Sequence, residues 1–144
     1  MSYDPNNIFA RILRGDAPCI KVFEDATTLA FMDVMPQSDG HLLVVPKEDA
    51  AEIFELSEAA AVACIRTVRR LSIAVRAALQ PTGVVVAQFN GSDAGQTVPH
   101  VHFHIIPRWA HAPLIPHARI QADRGRLEEL ASLIRSKLVD DSLA

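Results

Sequence analysis

Cysteine is scarce in this 144-residue chain, and the two present, Cys19 and Cys64, lie far apart. That scarcity excludes a disulfide framework and a thiolate cluster of short-spaced cysteines, and it fits a reduced compartment. Positive charge is short as well. Lysine and arginine number 14 against 17 aspartates and glutamates, a formal net charge of −3. There is thus no basic footprint for binding nucleic acid by phosphate neutralisation, and a bound phosphate would belong to a small molecule. No apolar run approaches the roughly 20 residues of a membrane helix. Met1 to Ala10 carries acid and amide side chains where a secretion signal would have a basic stretch and a long apolar run. We expect a cytoplasmic protein without nucleic-acid or membrane partners. No repeat, low-complexity tract or linker divides the chain, and 49% of its residues are hydrophobic, which predicts one core and one domain over 1–144.

Asp4-Pro5 followed by apolar residues at 8, 9, 12 and 13 predicts a short amphipathic helix over about 4–14, with Asp4 as its N-cap and Pro5 at the first helical position. Ile20 to Glu24 and Thr28 to Asp33 are β-rich runs around Asp25-Ala26 and predict an antiparallel hairpin. His41 to Val45, between Asp39-Gly40 and Pro46, reads as a third strand. Ser57 opens a long helix whose apolar positions 62, 65, 68, 71, 75 and 79 form its expected buried stripe, stopped by Pro81 and Gly83. Gly83 to Phe89 and Val98 to Pro107 read as two more strands. Trp109 to Arg124, with His111 and His117, reads as a solvated loop, and Leu127, Leu130, Ala131, Ile134 and Leu138 mark a last helix over about 125–138. The order predicts an α+β domain: a mostly antiparallel sheet of about five strands, a long central helix and short N- and C-terminal helices.

Chemistry concentrates in His100-Val101-His102-Phe103-His104. In an extended chain the three imidazoles share one face, about 6–7 Å apart, while Val101, Phe103 and Ile105 face the core. Stability alone would not select three histidines on one face. Two chemistries suit them. Neutral imidazoles spaced two apart on a strand can ligate zinc and leave a position open for water. An imidazole nitrogen can instead attack phosphorus, and the phosphohistidine splits one hard displacement into two easier ones. The stretch Asn90-Gly91-Ser92-Asp93-Ala94-Gly95-Gln96-Thr97 leads into the histidines. Its glycine-exposed backbone amides, with the Thr97 hydroxyl, form the kind of cradle that holds phosphate oxygens, which favours the phosphorus reading.

These residues resemble the histidine triad (HIT) superfamily, whose signature is His-φ-His-φ-His-φ-φ with φ apolar; here it reads His100 to Ile106. Ile8 to Pro18, Phe31 to Pro36, Gly40 to Lys47 and Asn90 to Thr97 resemble, in order, the blocks of its Hint-like branch, so the likeness runs from about Asp4 to Arg108. It implies a single HIT domain, with a core over about 20–108 and a C-terminal tail and helix over about 109–144. It also implies a homodimer whose sheets join across the dimer axis, and an enzyme that hydrolyses nucleoside 5′-phosphoramidates and related nucleotidyl compounds at the α-phosphorus. A purine nucleotide, AMP-like, is the implied substrate, and no cofactor is.

By the same resemblance His102 is the nucleophile, His104 contacts the phosphate and leaving group, His100 is the flanking histidine, and His41 lies beside the triad as a support. Gly95 and Thr97 place an amide and a hydroxyl on the phosphate, with Gln96 between them. Asp33 receives the ribose hydroxyls, Asn90 lies near the ribose and leaving group, and Ile8, Phe9, Ile12, Phe31 and Val34 form the base pocket. Each has a plainer alternative: the apolar residues as core, Asp33 and Asn90 as turn residues, and Trp109 as an anchor for the tail rather than a flank of the leaving-group pocket. The chain departs from the family in two places. Some bacterial relatives bind zinc through a Cys-x-x-Cys pair, and Asn7 and Ala10 stand at those positions, so we expect no metal and read His41 and His100 as hydrogen-bonded. Ile106-Pro107-Arg108-Trp109 replaces a glycine-containing continuation, which leaves leaving-group preference unspecified. Two other readings stay beside the enzyme: a nucleotide-binding regulatory or scaffold protein with incidental catalysis, and a zinc-dependent hydrolase.

Overall fold

Five strands, β1 (Lys21–Glu24), β2 (Thr28–Met32), β3 (Leu42–Pro46), β4 (Gly83–Gln88) and β5 (Phe103–Arg108), pair antiparallel throughout in the order β1-β2-β3-β5-β4. The helices are α1 (Ile8–Leu13), α2 (Glu58–Leu79) and α3 (Arg124–Arg135). The computed structural model describes residues 2–114 and 120–139; His117 lies outside the described residues. No helix among them is long and apolar enough to cross a membrane.

Every residue of β2 and β3 is buried, because both faces of the sheet are covered. On one face Leu42, Val44, Phe103 and Ile105 pack with Leu71 and Val75 of α2 and Leu130 and Ile134 of α3. On the other, Phe9 of α1 packs with Leu29, Phe31, Leu43 and Val45. Pairing register then places the chemistry. His104 on β5 stands opposite Leu43 on β3 and Ala87 on β4, so its side chain emerges on the α1 face of the sheet.

Three expectations change. The first helix begins at Ile8, with Asn7 rather than Asp4 as N-cap. Asp4 spends its carboxylate on the Asn6 N–H in a local turn, whereas the Asn7 side-chain oxygen accepts the Ala10 N–H at 2.9 Å. Along α2 the buried stripe runs through Cys64, Thr67, Val68, Leu71, Ala74 and Val75, while Val62 and Ile65 point outward. Cys64, between the two, is fully buried, so the face of the helix decides: Val62 and Ile65 lie off the stripe that packs on the sheet. Finally, β5 starts at Phe103 rather than Val98. The His100 N–H turns back to Val98 O and the Val101 N–H goes to Ala50 O, so the chain has left the ladder before His102 is reached.

Candidate functional site

Between α1 and the sheet lies a cleft of about 420 Å³. Ile8, Phe9, Ile12, Phe31 and Val34 line it, together with Asp33, Thr97, His102 and His104. Ile8 and Val34 are 42% and 45% exposed, unusual for aliphatic residues of a core, because they form the open lip. Pro18, Cys19, Met32, Met35, Leu43 and Val98 complete the walls; they were missed because in sequence they read only as strand or turn residues. Burial pushes the Cys19 thiol above its ordinary pKa, so it is an apolar wall rather than a thiolate.

The hydrogen-bond partners fix every tautomer, because backbone groups either only donate or only accept. His102 Nδ1 lies 2.7 Å from His100 O, a carbonyl, so Nδ1 carries the proton and the lone pair of the neutral ring is on Nε2. The Gln37 N–H donates to His41 Nδ1 at 3.0 Å, which puts the His41 proton on Nε2 and excludes the imidazolium. His41 Nε2 in turn donates to His104 Nδ1 at 3.0 Å, with Asp33 Oδ2 at 3.4 Å from the same nitrogen. His104 therefore presents Nε2–H. Its ring centre is 5.0 Å from that of His102, so a lone pair and an N–H donor stand side by side at the cleft. Gly40, at φ +88° and pressed against Leu79 and Pro107, delivers His41 to this chain; any side chain there would collide.

His100 has a different task from its two neighbours. It is fully buried and absent from the cleft wall. Its Nε2 donates to Pro46 O at 2.8 Å, and its Nδ1 accepts from the Tyr3 hydroxyl at 2.8 Å. Burial holds its pKa below the ordinary imidazole range and the ring stays neutral. Tyr3 is a site residue that sequence reading missed, since nothing local marks a tyrosine 97 positions from its partner.

The loop before the histidines is held largely by its own hydrogen bonds. Four of its amides are engaged within the loop: Gly95 N–H donates to Ser92 O, Gln96 N–H and Ala94 N–H to Gly91 O, and Gly91 N–H to the Gln96 side chain. Gly95, at φ +102°, serves chain reversal after the short 3-10 turn over Ser92–Ala94. Gln96 is buried and also donates to Ala51 O and Val98 O, so it props the loop from beneath. Asn90 accepts the Ile53 N–H and pairs with the Gln88 amide, away from the cleft wall. What the loop brings to the cleft is Thr97. Trp109 lines a separate groove with Gln37, Ser38 and Pro113, and His111 is exposed.

Asp33, His41 and His104 place potential metal-ligating atoms within 4.8 Å of one another. His41 and His104 already share a hydrogen bond between their rings, and Asp33 Oδ1 accepts the Met35 N–H at 2.9 Å. Asn7 uses its amide on Asp4 O and the Ala10 N–H, and Ala10 has no side-chain ligand atom, so this pair of positions offers no thiolate to a metal.

The HIT domain family model matches residues 14–111. The chain is 46% identical over 101 residues to an adenosine 5′-monophosphoramidase of Schizosaccharomyces pombe, covering 70% of this chain and 73% of that protein. It is 33% identical over 137 residues to an adenylylsulfatase of Arabidopsis thaliana, covering 91% and 68%. A crystal structure of a Hit-like protein from Bartonella henselae superposes with a TM-score of 0.90 at 40% identity, covering 96% of this chain and 100% of that one. With its histidine triad set on an antiparallel α+β sheet, this chain belongs to the HIT family.

Proposed function

We propose that the protein hydrolyses nucleoside 5′-phosphoramidates or related nucleotidyl compounds at the α-phosphorus, through a covalent nucleotidyl-His102 intermediate. The observation that carries this reading is the bond from His102 Nδ1–H to His100 O, which puts the ring's lone pair on Nε2, beside the His104 Nε2–H donor, and so supports its use as a nucleophile. The names of the fission-yeast phosphoramidase and the plant adenylylsulfatase support the substrate class.

In the first step His102 Nε2 forms a bond to phosphorus as the bond from phosphorus to the leaving nitrogen breaks. The departing amine takes a proton from solvent. His104 Nε2–H and the Thr97 hydroxyl donate to the phosphoryl oxygens as charge builds on them, and neutral donors held in a dry cleft need no reorganisation to do so. In the second step water attacks phosphorus, the phosphorus–His102 bond breaks, and the proton lost by that water replaces the one the amine took. The net reaction consumes one water and releases an amine and a mononucleotide. In this reading the apolar walls hold the base and Asp33 receives the ribose hydroxyls. Rapid mixing with adenosine 5′-phosphoramidate followed by mass spectrometry tests the reading: it expects a transient nucleotidyl mass on the His102 peptide, and direct release of product without that adduct during turnover would overturn it.

Two companion statements follow. Catalysis by these residues needs no metal, so chelator-treated protein should retain its full rate and elemental analysis should find no stoichiometric zinc; loss of activity restored by added zinc would contradict this. The protein is also proposed to be a homodimer. Among the described residues strand β4 leaves one edge of the sheet unpaired, with Val85 and Val86 exposed, and Val62, Ile65 and Ile73 form an outward apolar stripe on α2. A second copy pairing edge to edge covers both. Sedimentation equilibrium should return twice the 15.7 kDa chain mass.

A further inference from the structure

We propose that Tyr3 is a positioning residue for the nucleophile, acting through His100; the inference rests on the reading of His102 as the attacking group. His102 immediately precedes β5, which begins at Phe103. Its ring is aimed by the His100 carbonyl, at 2.7 Å. The direction of that carbonyl depends in turn on how residue 100 is bolted down. Three bonds do this: His100 N–H to Val98 O at 2.9 Å, His100 Nε2–H to Pro46 O at 2.8 Å, and the Tyr3 hydroxyl to His100 Nδ1 at 2.8 Å.

The three are not independent. Pro46 O can only accept, so it holds the His100 proton on Nε2, and Nδ1 is left as a pure acceptor at a fully buried position. Tyr3 supplies the donor, and burial raises the pKa of its phenol, which keeps it protonated. Without the hydroxyl, a buried imidazole nitrogen loses its partner, a state folded proteins avoid. The ring regains one only by rotating or by exchanging its proton, and either change breaks the bond to Pro46 and turns the carbonyl that aims His102. Phe9 couples the same elements, its ring lying 6.5 Å from His100 and 4.9 Å from His102. An N-terminal arm outside every helix and strand thus sets the angle of attack in a site formed by residues far along the chain.

The test is Tyr3→Phe, which keeps the ring packing and removes one hydroxyl. With adenosine 5′-phosphoramidate, kcat should fall about tenfold with KM within about twofold, the signature of misaimed chemistry rather than lost binding. In proton NMR the hydrogen-bonded His102 Nδ1–H and His100 Nε2–H resonances of the wild type should broaden or vanish in Tyr3→Phe, while the backbone amide spectrum of α2 and the sheet is retained. A kcat within twofold of wild type, or an unaltered His102 Nδ1–H resonance, overturns the proposal. A wild-type protein inactive on nucleotidyl substrates would count against the catalytic reading instead, and the imidazole resonances would still decide whether Tyr3 controls His102.

Discussion

His102→Asn should lower kcat on adenosine 5′-phosphoramidate by at least about 10³-fold and leave the dissociation constant of AMP within a few-fold. Asparagine is the informative replacement because its side-chain NH2 can take over the donation to His100 O while offering no nucleophilic nitrogen. The apolar walls and Asp33 are untouched, so binding should persist. Single-turnover kinetics with equilibrium binding on the same preparation checks both halves, and a variant retaining a tenth of wild-type kcat would sink the covalent mechanism. The nucleotidyl adduct should vanish along with turnover.

His104→Ala should cost about 10²–10³ in kcat, the range seen when one preorganised donor to a developing oxyanion is removed. The tautomer chain sharpens this expectation. His104 offers Nε2–H because His41 donates to its Nδ1, and His41 donates because the Gln37 amide has claimed its own Nδ1. His41→Ala should therefore land between wild type and His104→Ala: the donor remains but is no longer held in one tautomer. Steady-state kinetics of the two variants side by side decides the matter. If His41→Ala is as damaging as His104→Ala, His41 does more than set a proton; if it is silent, the relay is irrelevant to rate.

Parts of this architecture were legible before any coordinates. The cap at Ser57, the apolar rhythm of α3, the β-rich runs of β2 and β3 and the β-branched run of β4 are local signals, and the elements appear where those signals lie. Expectations changed where packing and hydrogen-bond partners override local preference. Val98 to His102 has strand-like composition, yet the His100 and Val101 N–H groups go to Val98 O and Ala50 O. Val62 and Ile65 fit a helical apolar stripe, yet the face of α2 that packs is the one carrying Cys64, Val68, Leu71 and Val75.

What the sequence by itself determined is the family and its motif: His100, His102 and His104 at a spacing of two, preceded by Asn90 to Thr97, on an α+β chain. That much is local, because strand alternation alone brings alternate side chains to one face. Only the tertiary structure decided where the imidazole protons sit. Proton positions on an imidazole depend on which group faces each nitrogen, and those groups, Pro46 O, Tyr3, Gln37 N–H and His41, come from segments separated in sequence from the triad. Packing them together gives three similar residues different faces: a lone pair on His102 Nε2, an N–H on His104 Nε2, and a His100 ring held between Pro46 and Tyr3.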